Sequence, residues 1–166
     1  MLATMQIRTA TAGDWPGIWP FLREIVSAGD TYTWPRDVDE TLARDMWLVP
    51  PPGRTVVAVD DDGTVLASAK LTPNQLGPGD HVANASFMVA PAAAGRGIGR
   101  ALGTHVLDLA RTDGYHAMQF NAVVATNTRA VALWRSLGFD VVGRIPDGFR
   151  HPTQGHVDLL VMYQRL

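Results

Sequence analysis

The sequence predicts an α/β fold on a mixed, mostly antiparallel sheet of about seven strands with about four helices. Three observations carry this. Asp61-Asp62-Gly63 sits between two apolar runs, a β-hairpin signal. From residue 81 onward the order strand, helix, strand, helix requires a right-handed parallel crossover. Two amphipathic helices, 97–113 and 127–137, are closed by Gly114 and Gly138. At 166 residues, 46% of them apolar, the chain suits one domain over 1–166.

Residues 5–10 read as the first strand. Asp14 is expected to cap a helix carrying Ile18, Leu22, Ile25 and Val26, with Pro20 kinking or splitting it and Gly29 near its end. A second short helix is expected from Asp39 to Leu48. Strands follow at 54–59, 64–71 and 81–89. The helix at 97–113 places Ile98, Ala101, Leu102, Val106, Leu109 and Ala110 on one face. After a strand at 117–123, Asn127 caps the last helix, whose core stripe is Ala130, Leu133, Trp134 and Leu137. Strands at 140–145 and 156–166 finish the chain.

Composition removes several functions. Fourteen Lys plus Arg against sixteen Asp plus Glu leave a net charge of −2, without the basic excess of a nucleic-acid binder. With no cysteine there is no disulfide, thiol nucleophile or Cys-ligated zinc. The opening residues lack a basic, apolar leader, and no apolar run reaches the roughly 18 residues of a membrane span. A cytoplasmic protein is expected, with no nucleic-acid or membrane partner. Lys70 is the single lysine beside thirteen arginines; genomic composition accounts for it, and it is given no functional weight.

The most informative stretch runs from Val89 to Leu102 and contains Gly95-Arg96-Gly97-Ile98-Gly99-Arg100 between a strand and a helix. Glycines let main-chain N–H groups turn toward an anion, and a helix N-terminus with two arginines adds positive potential. A phosphate or pyrophosphate is the natural occupant. A Walker loop needs lysine after its last glycine, and a dinucleotide fingerprint needs G-x-G-x-x-G after the first strand. Neither is present.

Val89-x-Pro91, Gly95-x-Gly97-Ile98-Gly99 and Asn127-x-x-Ala130-x-x-Leu133-Trp134-x-x-x-Gly138-Phe139 resemble the acyl-CoA signatures of the GNAT superfamily of N-acetyltransferases. The resemblance in element order spans essentially the whole chain. It implies a sheet splayed between its fourth and fifth strands, with acetyl-CoA as co-substrate in the splay and no metal. It further implies that N–H groups from Gly95 to Arg100 hold the pyrophosphate, and that main chain near Met88 and Val89 pairs with the pantetheine arm. Asn127 and Trp134 would line the arm's path. Family members usually carry Arg or Gln where this chain has Ala94.

The implied reaction is attack of a neutral amine on the thioester, which needs a proton acceptor, an oxyanion site and a leaving thiol. A backbone N–H near Val89 could serve the oxyanion. Trp134 stands where many relatives place an acidic tyrosine, so the thiolate leaves as such or is protonated by water or another group; a thiol pKa of about 8.5 tolerates this. The fourth strand offers Asn84 and Ser86 rather than glutamate. The proton acceptor is left open between relayed water, His81, His156 and Asp158. His151 and His156 are not expected to bind metal, since no third ligand is patterned around them.

Asn84, Asn121 and Asn127 resemble in placement three asparagines of fungal N-acetyltransferases acting on azetidine-2-carboxylate and related proline analogues. That implies Asn84 orienting the acceptor amine or its water, main chain after Asn121 receiving a carboxylate, and Asn127 on the cofactor. Phosphinothricin-type acetyltransferases share the layout. Tyr32 and Trp34, in the aromatic loop 30–35, either line the acceptor pocket or cover core surface. The expected partner is a small amino-acid-like amine; alternatives are peptide N-termini or other amines, and an acyl-CoA sensor without transfer. Relatives commonly form homodimers, and the five tryptophans could supply an interface or a core.

Overall fold

The computed structural model describes residues 4–166. Its elements follow as β1 (Gln6–Thr9), α1 (Trp15–Ala28), α2 (Glu40–Trp47), β2 (Arg54–Val59), β3 (Val65–Pro73), β4 (Val82–Val89), α3 (Ile98–Thr112), β5 (Ala117–Val124), α4 (Thr128–Ser136), β6 (Asp140–His151) and β7 (Gly155–Arg165). The seven strands form one sheet in the order β1-β2-β3-β4-β5-β7-β6, antiparallel throughout except for β4 beside β5. The expected leader-free residues 1–3 lie outside the described residues.

The two faces of the sheet are covered by different helices because strand side chains alternate. On one face Ala58, Ala67, Ala69, Leu71, Ala83 and Ala85 lie under Ile98, Leu102, Val106, Leu107 and Ala110 of α3. The many alanines let the helix sit close. On the other face Val57, Val59 and Met88 meet Trp15, Ile18, Phe21 and Leu22 of α1 and Ala43 and Trp47 of α2. Each large apolar side chain buried this way contributes about 1.5–3 kcal/mol before conformational entropy is subtracted. Trp47 is fully buried with its polar edge satisfied: its indole N–H donates to Ser68 Oγ at 2.8 Å, and that hydroxyl donates to the Val56 carbonyl at 2.8 Å.

Several expectations need correction. Pro20 does not split α1, which is continuous from Trp15 to Ala28. Its position in the second turn removes only the bond to the Pro16 carbonyl, and both prolines are exposed, so water can serve that carbonyl. Asp14 does not cap α1 with its side chain. It turns back to accept from the Thr11 N–H at 2.7 Å and from both Arg8 guanidinium nitrogens at 2.8 Å, fixing a one-turn 3-10 helix ahead of α1. Asp39 does cap α2, accepting from the Leu42 N–H at 2.9 Å.

Strand β6 runs six residues past the expected end at Ile145, through Pro146-Asp147-Gly148. That tripeptide reads as a turn but forms a bulge between Ile145 and Phe149. Asp158 of β7 holds the bulge by accepting from the Asp147 N–H at 3.0 Å and from Arg144 at 2.7 Å. On α3, Leu107 is buried while Ala101 and Leu109 are half-buried. The stripe on α4 is not core either: Ala130, Leu133, Trp134 and Leu137 are all half-buried, because this helix flanks a cleft.

Candidate active site

The cleft begins where β4 and β5 part. These eight-residue strands pair only at Val82 with Ala117 and Ala83 with Met118. Beyond Ala83 the sheet is open. In β4 the Ala90 N–H, just past the strand, donates to Leu66 on the β3 side. Alternation then aims the main-chain groups of Met88, Ser86 and Asn84 at β3, and those of Ala85, Phe87 and Val89 into the gap. Tyr32 confirms this direction at one point, since its hydroxyl donates to the Phe87 carbonyl at 2.6 Å. The Met88 side chain is buried among the apolar residues of α1 and α2.

At the C-terminal end of β4 the chain makes a 3-10 turn, Pro91–Ala93, and enters the glycine loop. Gly95 and Gly97 adopt φ of 79° and 74°, the left-handed region that side-chain-bearing residues avoid. Gly97 is the N-cap of α3. Among the described residues no acceptor serves the N–H groups of Gly97, Ile98, Gly99 or Arg100, the orphan donors of a helix start. Arg96 and Arg100 are exposed beside them, with Arg96 3.6 Å from Asp60. Ile98 is instead a core residue, 4% exposed, and contributes only its main chain.

Helix α4 closes the other side. A Cβ on Gly103 would lie 2.8 Å from Leu137 Cδ1 and 3.3 Å from the Trp134 ring, so glycine sets the approach of α3 to α4. Trp134 packs against Phe87 and Phe120, with centroids at 4.7 Å and 4.9 Å, and Phe120 stacks on Phe139. Asn127 caps α4 through Oδ1, which accepts from the Ala130 N–H at 3.3 Å. Its amide nitrogen is left for the cleft.

Beside the gap lies a chamber of about 380 Å³ lined by Tyr32, Trp34, Lys70, Thr72, Asn84, Ser86, Asn121, Asn127 and Trp134, among others. Asn84, Asn121 and Asn127 thus share one cavity, although they come from β4, β5 and the start of α4. Asn121 occupies a bulge of β5 between Phe120 and Val123. Its amide donates to Asn74 at 2.7 Å, and its oxygen accepts from Gln119 at 2.9 Å, which fixes its orientation. Tyr32 and Trp34 both line the chamber; desolvation pushes the Tyr32 phenol well above its ordinary range, so it stays protonated.

His81, His156 and Asp158 all lie outside the lining. His81 is exposed beside His116 at the paired end of β4. His156 is exposed at the β6–β7 turn, and Asp158 is engaged with Arg144 and Asp147, contacts that hold its carboxyl below the usual range. His151 Nδ1 accepts from the N–H groups of Thr153 and Gln154 within its own turn. Among the described residues no carboxylate or histidine lines the chamber. Asn84, Ser86 and Thr72 are polar side chains that do line it.

Lys70, to which composition alone gives no role, also belongs to the chamber. It lies opposite Ser86 on β3, lines the chamber, and donates to the Met46 carbonyl at 2.7 Å. Its solitary status among arginines was a signal of sorts, but its neighbours come from α2, β4 and the aromatic loop, which no local spacing brings together.

Of the five tryptophans, Trp15 and Trp47 are buried and Trp19, Trp34 and Trp134 half-buried, so most of their surface serves this fold. No helix among the described residues is long and apolar enough to cross a membrane.

Residues 19–139 match the model of the acetyltransferase (GNAT) family. The chain is 33% identical over 113 residues to the N-acetyltransferase aca1 of Schizosaccharomyces pombe, a match covering 68% of this chain and 54% of that protein. It therefore spans about half the length of that curated relative. Among solved structures, a GCN5-related N-acetyltransferase of Kribbella flavida is 57% identical, covers 98% of both chains and superposes with a TM-score of 0.95. The yncA protein of Salmonella typhimurium, solved with its cofactor acetyl-CoA, is 26% identical over 98% of this chain and 94% of that one, with a TM-score of 0.83. The open β4–β5 ladder, the glycine loop at the start of α3 and these matches converge: the chain belongs to the acetyltransferase (GNAT) family.

Proposed function

We propose that this protein transfers an acetyl group from acetyl-CoA to the amine of a small, amino-acid-like acceptor. The observation that carries the reading is the two-pair ladder between β4 and β5, which opens onto both the glycine loop and the polar chamber. The residues fit the coenzyme. Orphan N–H groups from Gly97 to Arg100, with Arg96 and Arg100 beside them, suit a diphosphate. The main-chain groups of Phe87 and Val89 that face the gap suit an extended amide-bearing arm, and Asn127 and Trp134 flank its path.

Bound there, acetyl-CoA supplies an activated thioester: the amine nitrogen bonds to its carbonyl carbon, the carbon–sulfur bond breaks, and one proton leaves the amine as the thiolate takes up another. Asn84 orients the amine or the water that receives its proton. A main-chain N–H of β4 that faces the gap is the donor for the developing oxyanion. Trp134, having no acidic proton, packs along the arm and leaves the thiolate to solvent.

The three asparagines in one chamber support an acceptor of the proline-analogue or phosphinothricin type. The test is release of CoA thiol with a panel of amino acids, azetidine-2-carboxylate, peptides and aminoglycosides. Turnover concentrated on the amino acids and their cyclic analogues is expected. Turnover on peptides or aminoglycosides alone would refute the acceptor class, and tight coenzyme binding without release on any amine would make the protein a sensor.

A further inference from the structure

Among the described residues the chamber holds one full positive charge, on Lys70, and no negative one to balance it. The Lys70 ammonium sits 5.4 Å from the Trp34 ring centre and 5.7 Å from that of Trp47, and one of its three protons is given to the Met46 carbonyl. Among the described residues no carboxylate lies within ion-pair distance of it, and none lines the chamber. Burial costs this cation hydration that two aromatic faces and one carbonyl replace only in part. Desolvation accordingly lowers its pKa.

Position adds to chemistry. Lys70 faces Ser86 and Thr72 faces Asn84 in the β3–β4 register, so the two pairs share one face of the sheet. They are one pleat repeat apart, about 7 Å. That is the scale of a small amino acid, with the amine near Asn84 at the open edge of β4 and an anionic end near Lys70.

We infer that Lys70 is the anchor for the acceptor's carboxylate, and that it selects amino acids over neutral amines. This rests on the transfer reading above. It assigns the carboxylate to a side chain of β3 rather than to main chain after Asn121. The two unused ammonium donors and the hydroxyl of Ser86 form the receiving site, and the carboxylate supplies the missing counter-charge.

The experiment compares azetidine-2-carboxylate and proline with their carboxamides, in the unaltered protein and in Lys70→Met, which keeps the volume of the stem. The unaltered protein is expected to favour each acid over its amide by about tenfold to a hundredfold in kcat/KM, the worth of a charge-assisted hydrogen bond. Lys70→Met should lose that preference through a raised KM for the acids while keeping its acetyl-CoA affinity and its rate on the amides. Equal use of acid and amide by the unaltered protein would overturn the anchor alone, and needs no variant to fold. A variant that loses acid and amide turnover equally would also overturn it. Absence of turnover on every amine would overturn the transfer reading and the anchor together.

Discussion

The glycine loop and the polar chamber lie at two ends of one cleft and are built by opposite means. The loop uses main chain: two glycines at positive φ and a run of unpaired N–H groups, with arginines at the margin. The chamber uses side chains drawn from β3, β4, β5, α4 and the aromatic loop. A diphosphate can be gripped by a short contiguous segment because its charge is compact. A small zwitterion cannot, since its two charged ends need partners of different kinds held a fixed distance apart, which only a sheet and its loops provide.

That contrast can be broken from either side. Gly97→Trp places an L-residue in the left-handed region, costing about 1–3 kcal/mol, and puts an indole before the donor cradle. Acetyl-CoA affinity measured by calorimetry should fall about a hundredfold, with the acceptor chamber unaltered. Gly103→Val drives a methyl group into Leu137 and Trp134 and should destabilise the fold by about 1–3 kcal/mol in urea unfolding, the usual range for overpacking.

On the acceptor side, Asn84→Ala should lower kcat/KM for the acceptor by about tenfold, one hydrogen bond's worth, while the acetyl-CoA dissociation constant stays fixed. If both constants moved together, the two ends would not be separable. An effect of similar size, on stability rather than turnover, is expected far from the cleft. Arg8 and the Thr11 N–H hold the Asp14 carboxyl down at about 2 against an ordinary 3.8. A depressed carboxylate stabilises the fold above its ordinary pKa, and that stabilisation fades as pH falls through the folded value. Asp14→Asn should therefore cost about 1–2 kcal/mol at pH 7, allowing for screening at the half-exposed Arg8, and progressively less as pH drops from 4 toward 2.

What was legible in the sequence follows the same division. The crossover, the hairpin at Asp61-Asp62-Gly63 and the loop at Gly95 to Gly99 are contiguous signals, and the elements they predict are present. Lys70 has no contiguous motif around it, because its surroundings are made by Met46 and Trp47 of α2, Trp34 of the aromatic loop and Ser86 of β4. Strand β6 was cut short for a similar reason. Pro146-Asp147-Gly148 has turn chemistry, and only the distant Asp158 keeps it in the sheet. Asp14 shows the converse: its cap chemistry was visible, but Arg8 and Thr11 compete for the same carboxylate. The half-burial of α4 could not be read from its apolar stripe, since a helix facing a cleft and one facing a core show the same period.

The central claim is that the parted strands β4 and β5 and the glycine loop together seat a coenzyme A thioester. Titration of the purified chain with acetyl-CoA in a calorimeter tests it most directly. Saturable one-to-one heat well below millimolar concentration is the expected result; no heat at millimolar acetyl-CoA would contradict it.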